Sequence, residues 1–327
     1  MSRSFKVVVT DRKFPSYDIE REVLEPLGVD FQVHACRTTD EVLAVAADAD
    51  VLLVSWIDIT AEAIAGLTRC RGIIRYGVGY EMLDTRAAAA RGIPVINVPD
   101  YCTDEVADHA MMLVLALARK LPQVMGEVRE GRWAGAPCRP IHALRDTTFG
   151  LFGIGRIGRA VIERARPFGF RLQAHDPYAP LELFDQLGVD NVDFDTLVTT
   201  SQVLSLHSPL TAATRNVIDA SVLARMPKGS RLVNVSRGGL IDETALASAL
   251  AAGHLAGAAL DVFEREPLSP ESPLREAPGL IATSHCAWYS EASFERLQRF
   301  AALEAARLIR GEGAKHVVNG VGVERPA

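Results

Sequence analysis

Short β-branched runs alternate with Ala- and Leu-rich amphipathic stretches along this chain, and that alternation is the signature of parallel α/β sheets. Two series of runs separate. The first comprises Lys6–Thr10, Phe31–His34, Val51–Ser55, Gly72–Tyr76 and Pro94–Val98, with helices expected between them at Asp40–Ala47 and Thr60–Leu67. The second comprises Thr148–Gly153, Arg171–Asp176, Val203–Ser208, Arg231–Ser236, Gly257–Phe263 and Leu280–His285. Runs this uniformly apolar predict strands buried on both faces.

The length of 327 residues fits roughly two domains. Between the series lies a helical stretch, Val106–Leu121, apolar on nearly every face from Ala110 to Ala118. Such a helix must be covered all round, by its own domain or by another subunit. The last helical pattern, Glu291–Ile309, is ended by Gly311 and Gly313 and belongs to no strand of the second series. Closing back onto the first domain, it makes that domain discontinuous. The expected division is a substrate-binding domain at 1–100 plus 289–327 and a nucleotide-binding domain at 101–288.

Composition narrows the class of partner. The chain is 48% apolar and 23% charged, within the globular range, with a net charge of −6. That balance argues against a phosphate-backbone footprint, so no nucleic acid partner is expected. The run Ala110–Ala118 is about half a bilayer span, and no membrane partner is expected. Met1 to Thr10 shows no signal-type segment. Cys36, Cys70, Cys102, Cys138 and Cys286 form no C-x-x-C pair and read as reduced thiols of a cytoplasmic protein.

One glycine motif carries a mechanism. Gly153-Ile154-Gly155-Arg156-Ile157-Gly158 follows an expected strand, Thr148–Phe152, and opens an expected helix, Arg159–Phe168. Gly153 permits a tight turn, Gly155 lets backbone approach a pyrophosphate, and Gly158 allows close helix–strand packing. The helix N-terminus offers unpaired N–H groups to phosphates, and Arg156 can add charge. The next strand ends in Asp176, whose carboxylate can accept from a ribose 2′-OH and would repel a 2′-phosphate, favouring NAD.

Ligands of open α/β sheets sit at the carboxyl ends of strands. There the second series presents Arg237 before Gly238 and Gly239, Glu266 before Pro267, and His285 before Cys286. Singly, these read as a solvated turn, a loop turn and a core histidine. Together beside a dinucleotide site they suit hydride transfer between nicotinamide and a 2-hydroxy or 2-oxo acid. His285 exchanges the oxygen's proton, Glu266 fixes its tautomer, and Arg237 grips the carboxylate and polarises the carbonyl.

Other positions join this rim. Asp261 can accept from the nicotinamide amide or serve as a turn residue. His207-Ser208-Pro209 can line the cofactor cleft, and Trp288 can wall the substrate pocket or anchor packing. In the first domain, Arg75-Tyr76-Gly77-Val78-Gly79 leaves a strand end, where Gly77 and Gly79 can form an anion nest and Arg75 can pair with a carboxylate. Strand alternation turns Cys286 away from His285, against a thiol nucleophile. The histidines show no metal-ligand spacing, and no metal site is expected.

Along nearly its whole length the chain resembles the D-isomer-specific 2-hydroxyacid dehydrogenase family. The matching pieces are the glycine motif with Asp176, His207 to Thr211, Leu232 to Gly239, Gly257 to Pro267, and His285. Ser284 to Glu291 and Arg75 to Gly79 look most like its C-terminal-binding-protein branch. The resemblance implies a Rossmann cofactor domain inserted in a flavodoxin-like substrate domain, D-stereochemistry, and Arg237, Glu266 and His285 as the catalytic set. It implies cofactor contacts at Val78, Thr103, the 153–158 loop, Asp176, the 208–214 loop with Thr214, Val235, Ser236 and Asp261. Arg75 and Trp288 would touch the 2-oxo acid. It also implies a homodimer through the cofactor domain, which would cover the apolar helix at Ala110. The rival reading is an NAD(H)-responsive binding module, against which stand the complete Arg/Glu/His set and the absence of a long tail after Ala327.

Overall fold

The computed structural model describes residues 4–133 and 139–322; Cys138 lies outside them. The chain divides into two compact units, Met1–Cys102 with Ser290–Ala327, and Thr103–Tyr289.

In the first unit, β1 (Lys6–Val9), β2 (Asp30–Val33), β3 (Val51–Val54), β4 (Gly72–Arg75) and β5 (Val95–Ile96) form one parallel sheet in the order β2-β1-β3-β4-β5. This is the flavodoxin-like order, with its topological switch between β1 and β3. Val7, Val8, Val9 and all four residues of β3 are fully buried, as two-sided cover requires. Thr38, Thr60 and Asp84 start the helices Thr39–Ala46, Ala61–Gly66 and Thr85–Ala90, each side chain accepting a first-turn N–H. The helix Glu291–Ile309 belongs to this unit and opens with a reciprocal cap between Ser290 and Ser293. Its Leu297, Ala301, Ala305 and Leu308 are buried. Its Gln298 donates to the buried carboxylate of Glu20 at 2.9 Å, and the Tyr76 hydroxyl donates to the same group at 2.8 Å. Burial pushes the Glu20 carboxyl up despite those donors.

In the second unit, β6 (Thr148–Phe152), β7 (Arg171–His175), β8 (Asp190–Asn191), β9 (Val203–Leu206), β10 (Arg231–Asn234), β11 (Gly257–Leu260) and β12 (Leu280–Ala282) pair in parallel, in the order β12-β11-β10-β9-β6-β7-β8. The chain crosses over at β6, as in the doubly wound nucleotide-binding order, with one strand added at the β12 edge. Leu204, Leu206, Leu232, Ala258 and Leu260 face a core completed by Leu223, Leu246 and Leu250.

Several boundaries differ from expectation. The glycine-loop helix runs Arg156–Ala165, so Gly158 sits in its first turn. The long apolar helix runs Thr103–Ala118 and packs on that helix and on β10 and β11. Lys120 breaks it at φ 52°, and a further helix, Leu121–Arg129, buries none of its residues. Met112, Leu121, Met125 and Val128 therefore remain exposed. No helix among the described residues is long and apolar enough to cross a membrane.

Candidate active site

Arg237, Glu266 and His285 sit on loops beyond the carboxyl ends of β10, β11 and β12, three neighbouring strands. At the end of β10, Asn234 shapes the first loop: its amide accepts from Ser236 N at 3.0 Å and donates to Arg237 O at 2.8 Å. Arg237 Nη1 donates to Ser236 O at 2.7 Å. The next residue meets the second loop directly. A Cβ on Gly238 would stand 1.9 Å from the carbonyl carbon of Phe263, so only glycine lets the two loops touch. Phe263 N in turn donates to Glu266 Oε1 at 3.0 Å, and His285 Nδ1 donates to Glu266 Oε2 at 2.7 Å.

Burial alone would raise the Glu266 carboxyl. The hydrogen bonds from His285 and Phe263 N and the charge of Arg237 outweigh it and hold the group below its ordinary value. Glu266 is thus an ionised acceptor at neutral pH, which puts the shared proton on Nδ1 of His285. Nε2 is then the ring atom suited to exchange a proton with a ligand. About a third of each side chain is exposed, 30% for His285 and 33% for Glu266, so a ligand can reach the pair.

The strand carrying His285 ends earlier than expected, at Ala282. His285 itself adopts φ 54°, in the left-handed region. Strand alternation therefore gives no reason for the direction of Cys286. What fixes this turn is Asp261, 1% exposed. Its Oδ1 accepts from Cys286 N at 3.0 Å and from the Thr283 hydroxyl at 2.6 Å, and Oδ2 accepts from Ala287 N at 2.9 Å. The carboxylate expected to meet a nicotinamide amide is engaged by the chain's own donors. Trp288 Nε1 adds a bond to His285 O at 2.9 Å.

Sequence spacing missed one cluster here. A donor atom from each of His109, Asp261 and Cys286 lies within 4.8 Å of the others, from three separate elements. His109 Nε2 and the Thr283 hydroxyl are 3.1 Å apart, and that hydroxyl bonds to Asp261, so the cluster is already a hydrogen-bonded chain. Burial and the Asp261 charge raise the Cys286 thiol, which makes it a poor nucleophile.

The glycine loop fits a dinucleotide. Gly153 has φ 96°, and a Cβ there would lie 2.8 Å from Ser208 Oγ. A Cβ on Gly158 would stand 2.3 Å from Gly153 O, whereas Gly155 faces open space. Gly155 caps the helix without any side-chain bond, leaving first-turn N–H groups for a phosphate. Asp176 follows β7, half-buried, and accepts from Ile154 N at 2.9 Å and Tyr178 N at 3.0 Å. It is thereby locked to the loop it was expected to accompany. Ser236 Oγ donates to Ser208 O at 2.6 Å, and Thr214 Oγ1 to Pro209 O at 2.7 Å, tying the 208–214 loop to the end of β10. His207 Nδ1 is buried without a hydrogen-bond partner, and burial lowers that ring to about 4, so it stays neutral. Thr103 opens the helix Thr103–Ala118.

In the first unit, Arg75 closes β4 and is buried at 5% exposure. The expected anion nest is altered at Gly77, whose N–H donates to Arg75 O at 2.9 Å. Gly77 serves packing: at φ 142°, a Cβ on it would stand 2.7 Å from Arg75 Nη1. Asn97 Nδ2 donates to Val78 O at 2.7 Å and so holds the 77–79 turn.

Comparison with known proteins finds relatives along most of the chain. Residues 111–287 match the family model described as D-isomer specific 2-hydroxyacid dehydrogenase, NAD binding domain. The chain is 38% identical over 316 residues to a D-3-phosphoglycerate dehydrogenase of Methanocaldococcus jannaschii, covering 96% of this chain and 59% of that protein. It is 38% identical over 279 residues to a glyoxylate reductase of Korarchaeum cryptofilum, covering 83% of each. The solved glyoxylate reductase from Paecilomyes thermophila superposes with a TM-score of 0.87 at 29% identity, covering 96% of this chain and 98% of that one. Against the first of these relatives the chain spans little more than half the length.

Proposed function

The chain belongs to the D-isomer-specific 2-hydroxyacid dehydrogenase family and carries its NAD-binding domain, and on that premise we propose that it interconverts a D-2-hydroxy acid and its 2-oxo acid. One observation carries the reading: the 2.7 Å bond from His285 Nδ1 to a Glu266 carboxylate held ionised. NADH, when bound, supplies the hydride that reduces C2.

Each residue then has one task. His285 Nε2 gives its proton to the carbonyl oxygen as that oxygen gains charge. Glu266 stabilises the imidazolium beforehand and keeps the ring from rotating. Arg237 grips the substrate carboxylate and polarises the adjacent carbonyl. Trp288 walls the pocket. The 153–158 loop holds the pyrophosphate and Asp176 the ribose, with Thr103, Ser208, Thr214, Val235 and Ser236 lining the rest of the cofactor's path.

The protein acts in the cytoplasm in this reading, and its described cysteines carry no disulfide. It pairs with a second copy through the second unit, where exposed Met112, Leu121, Met125 and Val128 invite cover. A panel of 2-oxo acids of graded side-chain size, assayed with NADH and with NADPH, tests the function. Reduction of at least one acid with NADH, lost in His285→Ala while NADH binding persists, is the expected result. Inactivity across the panel, or an active His285→Ala variant, overturns it.

A further inference from the structure

His109, Asp261 and Cys286 meet inside the second unit although three separate elements carry them. His109 lies on the helix Thr103–Ala118, Asp261 follows β11, and Cys286 lies in the turn after β12. One ligand atom from each, an imidazole nitrogen, a carboxylate oxygen and a sulfur, lies within 4.8 Å of the other two.

Two edges of that triangle have the dimensions of a tetrahedral zinc centre. With bonds of about 2.1 Å to nitrogen and oxygen and about 2.3 Å to sulfur, such a centre spaces its N and O ligands about 3.4 Å apart and its S and O ligands about 3.6 Å apart. His109 Nε2 stands 3.7 Å from Asp261 Oδ1, and Cys286 Sγ stands 3.6 Å from the same oxygen. The third edge, from His109 to Cys286, is the one left to close. Cys286 is exposed, so a small rotation of its side chain can close it, and solvent can supply a fourth ligand.

Protons now hold these groups together. The Thr283 hydroxyl donates to Asp261 Oδ1 at 2.6 Å, and its oxygen is 3.1 Å from His109 Nε2. A dication bound among the three replaces the thiol proton, which passes to solvent, while the neutral imidazole keeps its single proton on Nδ1. Thiolate and carboxylate then cancel the two charges of the ion, which leaves the site around the buried Asp261 neutral. Cys286 N and Ala287 N reach the same carboxylate at 3.0 and 2.9 Å and orient it, as the outer partners of a metal ligand do. One sulfur, one imidazole nitrogen and one carboxylate select a borderline-soft ion over magnesium or calcium, which take oxygen ligands.

We propose that His109, Asp261 and Cys286 form a binding site for one divalent cation of the zinc class, with water completing the tetrahedron. The ion ties the helix Thr103–Ala118 to the turn that carries His285.

Cobalt(II) is the probe, added to protein that has been stripped with a chelator and kept reduced. The wild type binds one equivalent and shows thiolate-to-cobalt charge-transfer absorption, which zinc abolishes by displacement and magnesium does not. Cys286→Ser loses that absorption. His109→Gln, whose amide can still bond to Thr283, weakens cobalt binding about tenfold or more. Zinc also raises the midpoint of thermal unfolding of the wild type, as a ligand of the folded state must, and leaves that of Cys286→Ser unmoved. Absence of the absorption in the wild type, its survival in Cys286→Ser, or a cobalt affinity unchanged by His109→Gln overturns the proposal. Neither readout needs turnover, so a negative result leaves the dehydrogenase reading standing, and a chain that reduces no acid can still show the absorption.

Discussion

The backbone oxygen of Asp261 accepts the N–H of His285 at 2.7 Å, while the carboxylate of the same residue accepts from Cys286 N and Ala287 N, the next two in the chain. A buried acid thus grips three consecutive amides and sets the turn that aims the imidazole at Glu266. The direction of His285 is decided one strand away, at the end of β11.

Replacing Asp261 by Ala leaves Cys286 N, Ala287 N and the Thr283 hydroxyl without their acceptor, while His285 N keeps its backbone one. Stability is expected to fall by about 3 kcal/mol, since each stranded buried donor costs about 1–3 kcal/mol and solvent offsets part of the total. Turnover falls more than tenfold with it. Denaturant unfolding and 2-oxo acid kinetics check this, and unchanged turnover in a folded Asp261→Ala protein would show that the turn needs no clamp.

Glu266→Gln keeps the acceptor for Phe263 N but removes the charge beside His285. The kcat for 2-oxo acid reduction is expected to drop about a hundredfold. Glu266 stabilises the imidazolium that gives up the proton, so the loss falls on kcat while NADH binding persists. A variant whose kcat matches the wild type's would remove Glu266 from the mechanism.

Gly238→Ala puts a methyl group 1.9 Å from Phe263 C and forces the Arg237 and Glu266 loops apart. Overpacking against backbone is expected to cost about 3 kcal/mol or more. A rise in KM for the acid should accompany it, as Arg237 is displaced from its partner carboxylate. Thermal unfolding with and without NADH, read beside KM, distinguishes the loop effect from loss of the cofactor site.

His207 stays neutral in the fold down to about pH 4, whereas in the unfolded chain it charges near its ordinary value of 6.5. The unfolded state therefore binds more protons between those limits, and stability falls as pH drops from 6.5 to 4. The full window amounts to about 3 kcal/mol. His207→Gln is expected to flatten that slope in urea titrations at pH 4.5, 5.5 and 6.5, and a slope as steep as the wild type's would assign the acid sensitivity to another group.

The legibility of this protein follows the range over which each signal acts. The strands announced themselves because β-branched runs buried on both faces need no distant partner to be recognised. The two-residue β8, polar Asp190 and Asn191, had no such mark. Arg237, Glu266 and His285 could be named from their places at strand ends, because parallel sheets send adjacent strand ends to one rim. The clamp of Asp261 on the His285 turn could not, since it depends on hydrogen bonds across 24 to 26 residues of sequence.

The helix Glu291–Ile309 completes the core of a unit whose other residues end at Cys102, while Thr103–Tyr289 is one unbroken stretch. During synthesis the opening hundred residues leave the ribosome as an unfinished body, with the face destined for Leu297, Ala301 and Leu308 still bare. The inserted unit emerges whole and can close its sheet while its host waits. The host unit's core thus depends on a segment translated after the whole of the insert, whereas the insert draws on a single stretch of chain.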